Sequence, residues 1–367
     1  MKTAIVHYWL INMRGGEKVL EALLEMFPGA DIYTHVYNPG AVSEIIKSRK
    51  VYTSYINRLP FAKKLYRLYM PLMPRALADF NLRQYDLVIS SESGPAKGVV
   101  PNPNAYHLCF CHSPMRYLWD MYHEYFRGTN PVVRFFMKRL IPSLRVWDVT
   151  SANLVDRFVT NSAYTAKRIR RIYNRNADVV YVPVPIERYF GVERRHDDYY
   201  LFFGQITGYK RPDLAIEACV RSGRKLIVAG AGAKKRDIRK YEKTGLVRFT
   251  GRVSDQEAAA LFAGARALLF PGIEDLGLVP IEANAAGCPV IALRDGGALD
   301  TIKENITGIF FDEQSPASLI EAMDRFESME KEGAFCNREA FVNHVRQFSP
   351  EAFKERIQKI IEERKRL

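Results

Sequence analysis

The sequence has no D-x-D pair, no H-E-x-x-H, no C-x-x-C and no EF-hand loop, so the usual short metal-site patterns are missing. Its five cysteines, Cys109, Cys111, Cys219, Cys288 and Cys336, are odd in number and irregular in spacing. They read as reduced thiols rather than as a disulfide framework. No run of about 18 apolar residues occurs, which excludes a hydrophobic spanning helix. The opening MKTAIVHYWLINMRGGEKV lacks the long apolar centre and small-residue cleavage site of a signal peptide, so a cytosolic location is expected. No G-x-G-x-x-G follows Thr3–Leu10 and no G-x-x-x-x-G-K-[ST] occurs, which argues against nicotinamide and ATP chemistry. What is present is a chain of 367 residues, 47% hydrophobic, long enough for two domains with sizeable cores. It carries 54 Lys and Arg against 41 Asp and Glu, a formal charge of +13. Nucleic acid, an anionic membrane or a phosphorylated substrate would each suit that surplus.

Short apolar runs of strand length alternate with helical periodicity along the whole chain. In the first half they fall at Thr3–Leu10, Asp31–Val36, Tyr85–Ser90, Tyr106–Cys111, Arg157–Thr160 and Asp178–Val182. The Gly15-Gly16 turn and a helical pattern over Glu17–Phe27 follow the first run and open a βαβ unit. The stretch 186–198, after Pro183-Val184-Pro185, is charged and without period and reads as a linker. Strand runs then resume at Tyr199–Phe203, Lys225–Ala229, Val247–Thr250, Ala267–Phe270 and Pro289–Ala292. The fold class is α/β, with parallel sheets. The expected domains are 1–185 and 199–348, with a last helix over 349–367 crossing back to the first domain. Two such domains would place a ligand at the C-terminal ends of their strands.

The strongest local signal runs from Phe270 to Ala283. A strand ends at Phe270, a loop carries Glu274, and Gly277 allows close approach before a helix that starts near Leu278 and Val279. The free N–H groups and positive dipole end of such a helix suit a pyrophosphate. Glu274 can reach a sugar hydroxyl beside that phosphate, and Glu282, a turn into the helix, can accept from a ribose diol. Two solvated glutamates flanking an ordinary turn is the bland reading. The surrounding Gly277, Pro280, Ala283, Ala286 and Gly287 weigh against it.

This segment resembles the E-x7-E motif of the family-4 retaining glycosyltransferases. Their fold, GT-B, has two facing Rossmann-like domains with an interdomain cleft. Phe203–Ala218 is similar to that family's donor-phosphate loop, which the resemblance gives as Gly204, Gln205, Lys210 and Arg211. Many members have arginine where Gln205 stands, so Lys210 carries the diphosphate charge and Arg211 supplies a second cation. Gly251–Ser254, with Arg252 and Val253, resembles the base-binding turn, and Gly15-Gly16 the N-terminal glycine loop. His112 sits at a strand end, where the family's histidine contacts the transferred sugar; His7, His35 and His107 read as core residues. The stretch Cys111–Asp120 is similar to bacterial GDP-mannose-dependent transferases of cell-surface polysaccharide synthesis and makes Arg116 and Tyr117 acceptor residues.

The resemblance therefore implies a retaining, metal-independent hexosyltransferase with no cofactor. Its catalytic residues would be Glu274, His112 and Lys210, its donor a nucleoside diphosphate sugar such as GDP-mannose, its acceptor a lipid-linked glycan. A sugar-nucleotide epimerase or hydrolase on the same fold, or a non-catalytic membrane-surface module, are the alternatives. Between Arg58 and Arg83 basic residues, among them Lys63, Lys64 and Arg67, alternate with Phe61, Leu65, Leu68 and Leu72. Arg134, Lys138 and Arg139 lie in a second such stretch, beside Phe135 and Phe136. Cations mixed with large apolar side chains suit an anionic membrane, and a peripheral place on the inner face of the cytoplasmic membrane is expected. No nucleic-acid motif is visible, so no nucleic acid is expected as a partner.

Overall fold

A computed structural model of the protein describes residues 1–123 and 130–364. By its internal contacts the chain divides into two units, one of Met1–Pro183 with the chain from Phe353 on, the other of Val184–Ala352.

The first unit is built on seven parallel strands: β1 (Thr3–His7), β2 (Asp31–Thr34), β3 (Val51–Thr53), β4 (Leu87–Glu92), β5 (Tyr106–Cys111), β6 (Arg157–Thr160) and β7 (Ala177–Val179), in the order β3-β2-β1-β4-β5-β6-β7. β1 and β4 are buried along their whole length, and their centres, Ala4-Ile5-Val6 and Leu87-Val88-Ile89, read as apolar runs, while the ends carry buried polar residues, His7, Ser90, Ser91 and Glu92. The edge strand β3 escapes notice in the sequence because it is three half-buried residues long. The order reverses between β1 and β4, so the loops that follow them diverge and leave a crevice at their C-terminal ends. The last helix, Pro350–Glu363, ends in this unit: Phe353 packs its ring on Phe110 at 5.8 Å, and Glu363 pairs with Arg157 at 2.8 Å.

The second unit has six parallel strands: β8 (Tyr200–Phe203), β9 (Leu226–Ala229), β10 (Val247–Gly251), β11 (Leu268–Phe270), β12 (Val290–Leu293) and β13 (Gly308–Phe311), ordered β10-β9-β8-β11-β12-β13. Its reversal falls between β8 and β11. Tyr200, Phe202, Leu269, Ile291 and Phe311 pack against Leu214, Leu319, Met323 and Phe326 of two flanking helices, Pro212–Ser222 and Pro316–Lys331. Strand β13 is not evident in the sequence, since it opens on a glycine. That glycine is needed, because a Cβ on Gly308 would lie 2.1 Å from the Val290 carbonyl oxygen.

The stretch read as a linker is packed instead. Ile186 and Tyr189 are buried, the backbone N–H groups of Arg195 and Asp197 donate to Ala263 and Gly264, and Arg194 caps the carbonyls of Phe262, Ala263 and Ala265. The end of the helix Asp255–Gly264 leaves carbonyls without helical partners, and this segment supplies them. All five cysteines are free thiols, four of them buried. Among the described residues no helix is long and apolar enough to cross a membrane, and no three His, Cys, Asp or Glu side chains gather in a way that could hold a metal ion.

Candidate active site

In the second unit the site is assembled from glycine loops at the strand ends. After β8 the chain turns at Gly204 (φ +126°), whose N–H donates to Ala229, while the N–H of Ile206 donates to Ala231. A Cβ on Gly230 would lie 1.8 Å from the Gly204 carbonyl oxygen, so the loops after β8 and β9 touch backbone to backbone. On the other side, a Cβ on Gly272 would lie 2.6 Å from Lys210 Cα. That close approach brings the loop after β11 against the turn Gly208–Lys210. Lys210 Nζ comes to rest 2.8 Å from Glu274 Oε1, both side chains partly open to solvent.

Gly277 (φ +84°) then starts the helix Leu278–Ala285, in which Leu278 and Val279 occupy the first turn. Their N–H groups have no helical acceptor and make, with Lys210, a positive lining for an anion. Gly297 donates to the Glu274 carbonyl at 2.9 Å, and Gly296 (φ +66°) packs on the same carbonyl. The strands that meet here, β8 and β11, are the pair at which this sheet's order reverses.

Glu282 Oε1 lies 2.7 Å from Arg188 Nη2. Burial pushes the Glu282 carboxyl up, the Arg188 charge pulls it back, and the net shift is upward. Arg188 also donates to Asp255 and to the Tyr189 hydroxyl, so it ties Glu282 to the helix that follows the Gly251–Ser254 turn. In that turn Arg252 is exposed, Val253 is half-buried, and Ser254 caps the helix by accepting the Glu257 N–H.

Arg211 departs from the sequence reading. Its guanidinium is turned to both Asp213 oxygens and to Gln314, whose amide in turn donates to the Pro271 carbonyl at 2.9 Å. The left-handed backbone at Arg211 (φ +54°), just before Pro212, directs this outward course. Gln205 is exposed on the same loop.

In the first unit His112 lies just past β5, buried, with its backbone N–H donated to the Glu92 carbonyl. Its Nε2 is 2.9 Å from Ser91 Oγ, and Ser91 Oγ is 3.0 Å from His7 Nδ1. His7 Nε2 faces Glu17 Oε1 at 3.6 Å. Burial pushes the His112 pKa down to about 3. Gly16 fits here because a Cβ would strike the Tyr8 hydroxyl at 2.3 Å; beside it Gly15 opens the first helix, Gly15–Met26. Beyond His112, Arg168 braces the loop through Ser113 and Asp120 at 2.7 and 2.6 Å. On that loop Arg116 rests near Met121 Sδ and Tyr117 is half-buried.

The structure thus brings Gly204, Lys210, Glu274, Gly277, Leu278 and Val279 together in one unit, and Gly16 and His112 together in the other. Sequence reasoning missed Arg188, hidden in the supposed linker, the bracing glycines 230, 296 and 297, and Gln314. It also took His7 as an ordinary core residue and passed over Ser91. A Gly-Gly pair after a buried strand was the one available signal, at Gly296-Gly297.

A family model described as "Glycosyltransferase Family 4" matches residues 13–188, and one described as "Glycosyl transferases group 1" matches residues 186–343. Among curated relatives, the human α-1,3/1,6-mannosyltransferase ALG2 is 27% identical over 263 residues, 62% of this chain and 63% of that protein. The mouse ALG2 is 27% identical over 212 residues, 48% of this chain and 51% of its own length. The chain therefore spans half to just under two thirds of these relatives. Among solved structures, Anabaena HepE with UDP and glucose aligns with a TM-score of 0.69 at 15% identity, over 99% of this chain and 100% of that one. The lipopolysaccharide outer core galactosyltransferase WaaB aligns with a TM-score of 0.69 at 16% identity and the same coverage. With one glycosyltransferase model on each half, in this order, and two parallel sheets aligned along nearly the whole length, the chain has the GT-B fold of these solved glycosyltransferase structures.

Proposed function

We propose that this protein is a retaining, metal-independent glycosyltransferase that moves mannose from GDP-mannose to a lipid-linked glycan of cell-surface polysaccharide synthesis. The observation that carries the reading is the Lys210–Glu274 pair at the strand-order reversal, beside a helix start with free N–H groups. A diphosphate placed there would meet the Lys210 ammonium and the Leu278 and Val279 N–H groups, which stabilise charge as the bond to the sugar breaks. Glu274 would accept hydrogen bonds from sugar hydroxyls, and Glu282 from the ribose. Arg252 and Val253 would line the base, and Gly204, Gln205 and Gly277 would let backbone approach the phosphates. His112 would contact the sugar, with Gly15 and Gly16 near the donor phosphates and Arg116 and Tyr117 toward the acceptor. The acceptor hydroxyl would attack from the face the diphosphate leaves, and the leaving phosphate would take its proton. No cofactor enters this scheme. Mannose as the sugar is supported by the likeness to ALG2, named as a mannosyltransferase.

The membrane partner is supported by the surface of the first unit. Phe61, Leu68, Phe135 and Phe136 are exposed, though both of their segments pack inward on one cluster that includes Tyr66, Met70, Ile141 and Leu144. We place the protein peripherally on the inner face of the cytoplasmic membrane.

A thermal-shift panel of GDP, UDP, ADP and their sugars, followed by product analysis, tests the activity. GDP and GDP-mannose should stabilise the protein most. Glu274→Ala should reduce transfer by about 100-fold or more with the fold intact. Near-normal transfer in that variant, or no stabilisation by any nucleoside diphosphate, would sink the assignment.

A further inference from the structure

Four buried side chains from four elements form a polar chain in the first unit: Glu17 on the first helix, His7 at the end of β1, Ser91 on β4 and His112 after β5. Parallel pairing sets His7 and Ser91 side by side. The Ser91 hydroxyl lies 3.0 Å from His7 Nδ1 and 2.9 Å from His112 Nε2. A hydroxyl has one proton, so it donates to one of these imidazoles and accepts from the other.

Glu17 decides which. Its Oε2 accepts the Arg14 N–H at 2.8 Å, leaving Oε1 to face His7 Nε2 at 3.6 Å. Burial alone would raise the Glu17 carboxyl, but His7 and the backbone N–H groups of Glu17 and Arg14 bring it below its ordinary value, so it is ionised. A carboxylate has no proton to give. A doubly protonated His7 would donate to Ser91 and leave His112 in the Nδ1–H form. In a neutral His7 ring a bare Nε2 would turn its lone pair toward the negative charge of Glu17, so the single proton belongs on Nε2. His7 Nδ1 then accepts from Ser91, and Ser91 accepts from His112 Nε2–H. At the far end His112 Nδ1 is left as a lone pair, and among the described residues it makes no hydrogen bond.

We propose that Glu17, His7 and Ser91 are positioning residues that hold His112 in its Nε2–H tautomer, so that Nδ1 presents a hydrogen-bond acceptor to a hydroxyl of the transferred sugar. The last clause rests on the reading of His112 as a sugar contact; the tautomer itself does not. Because the His112 ring stays neutral at physiological pH, the choice between its two tautomers decides whether it can accept or only donate.

Glu17→Gln reverses the chain without changing its shape. The Arg14 N–H still requires an acceptor, so the new amide keeps its oxygen there and turns its NH2 group toward His7 Nε2. The proton then moves to Nδ1 in His7, Ser91 donates onward, and His112 carries its hydrogen on Nδ1. Nitrogen-15 NMR of the imidazole nitrogens, in substrate-free protein labelled at histidine, reads this directly. The His112 signals are assigned by their loss in His112→Asn. The wild-type protein should show Nε2–H and Glu17→Gln should show Nδ1–H. Ser91→Ala, which cuts the chain, should show a mixture and serves equally if Glu17→Gln does not fold. Wild-type His112 in the Nδ1–H form, or variants that leave the tautomer unchanged, would overturn the chain. Transfer by Glu17→Gln should fall about ten-fold at unchanged melting temperature, the size of one lost hydrogen bond. A reversed tautomer with full transfer would instead overturn the sugar contact of His112.

Discussion

Lys210 holds its ammonium 2.8 Å from Glu274, whereas the next residue, Arg211, gives its guanidinium to Asp213 and Gln314. The two cations are adjacent in sequence and serve different contacts, and this difference can be measured. Lys210→Ala should lower kcat/KM for the donor by roughly 100-fold, as expected when a charge-stabilising donor is removed from a leaving group. Arg211→Ala should cost less than about ten-fold, since it breaks a partly exposed ion pair worth on the order of 1 kcal/mol or less. Equal losses in steady-state assays would place both cations on the diphosphate. At this scale Lys210 and Glu274 were legible because each lies in a local run of strand, glycine and helix. The partners that hold them were not. Gly230 and Gln314 matter through contacts with Gly204 and Pro271, and nothing in their own neighbourhoods announces those contacts. Ser91 is likewise an ordinary strand serine until His7 and His112 are seen on either side.

Among the elements, most strands of both sheets were readable, since parallel strands buried on both faces are apolar along most of their length. The misses were β3, a half-buried edge, β13, opening on glycine, and the packed segment over 186–198, whose backbone bonds go to a helix end far along the chain. A further tie between elements was invisible for the same reason. Lys97, fully buried in the loop after β4, lies 2.9 Å from Glu92 and also contacts Asp148 on the long helix Pro131–Ser151. Asp148 accepts from Trp119 at 2.8 Å and from Tyr173 on the helix Ala163–Tyr173. One ammonium therefore fixes a strand end, a loop and two helices. Lys97→Met would strand two carboxylates in the interior at a cost of about 3–5 kcal/mol. The measurement is the urea midpoint, at constant m-value. Burial already raises the Glu92 carboxyl, and Asp148 adds to that against the pull of Lys97. The variant's deficit should therefore shrink as pH falls and a proton takes the place of the ammonium. A loss below about 1 kcal/mol would mean that the cluster contributes no more than an exposed pair.

Over the whole molecule the formal charge of +13 is unevenly balanced. Many arginines are neutralised within their own unit: Arg224 by Asp324 and Glu327, Arg266 by Glu330, Arg157 by Asp178 and Glu363. Among the described residues Arg58, Lys63, Lys64, Arg67, Lys138 and Arg139 have no carboxylate partner. All six are exposed, in the same two segments that leave Phe61 and Phe135 with 72% and 53% of their surface in solvent. Each such cation is worth about 1 kcal/mol beside an anionic bilayer, and the attraction falls off within a screening length of roughly 10 Å at 0.1 M salt. The aromatic rings add a contribution that salt does not screen. The protein should therefore float with vesicles containing phosphatidylglycerol and much less with neutral phosphatidylcholine. Raising the salt should weaken the association without abolishing it. Lys63→Glu with Lys64→Glu should remove mainly the salt-sensitive part, and Phe61→Ser with Phe135→Ser mainly the residue that survives high salt. These side chains are already exposed, so the melting temperature should hold in both variants and a loss of flotation would not reflect unfolding. Equal flotation with neutral and anionic vesicles, or none with either at low salt, would leave the unpaired cations as ordinary solvated surface and remove the membrane from the proposed function.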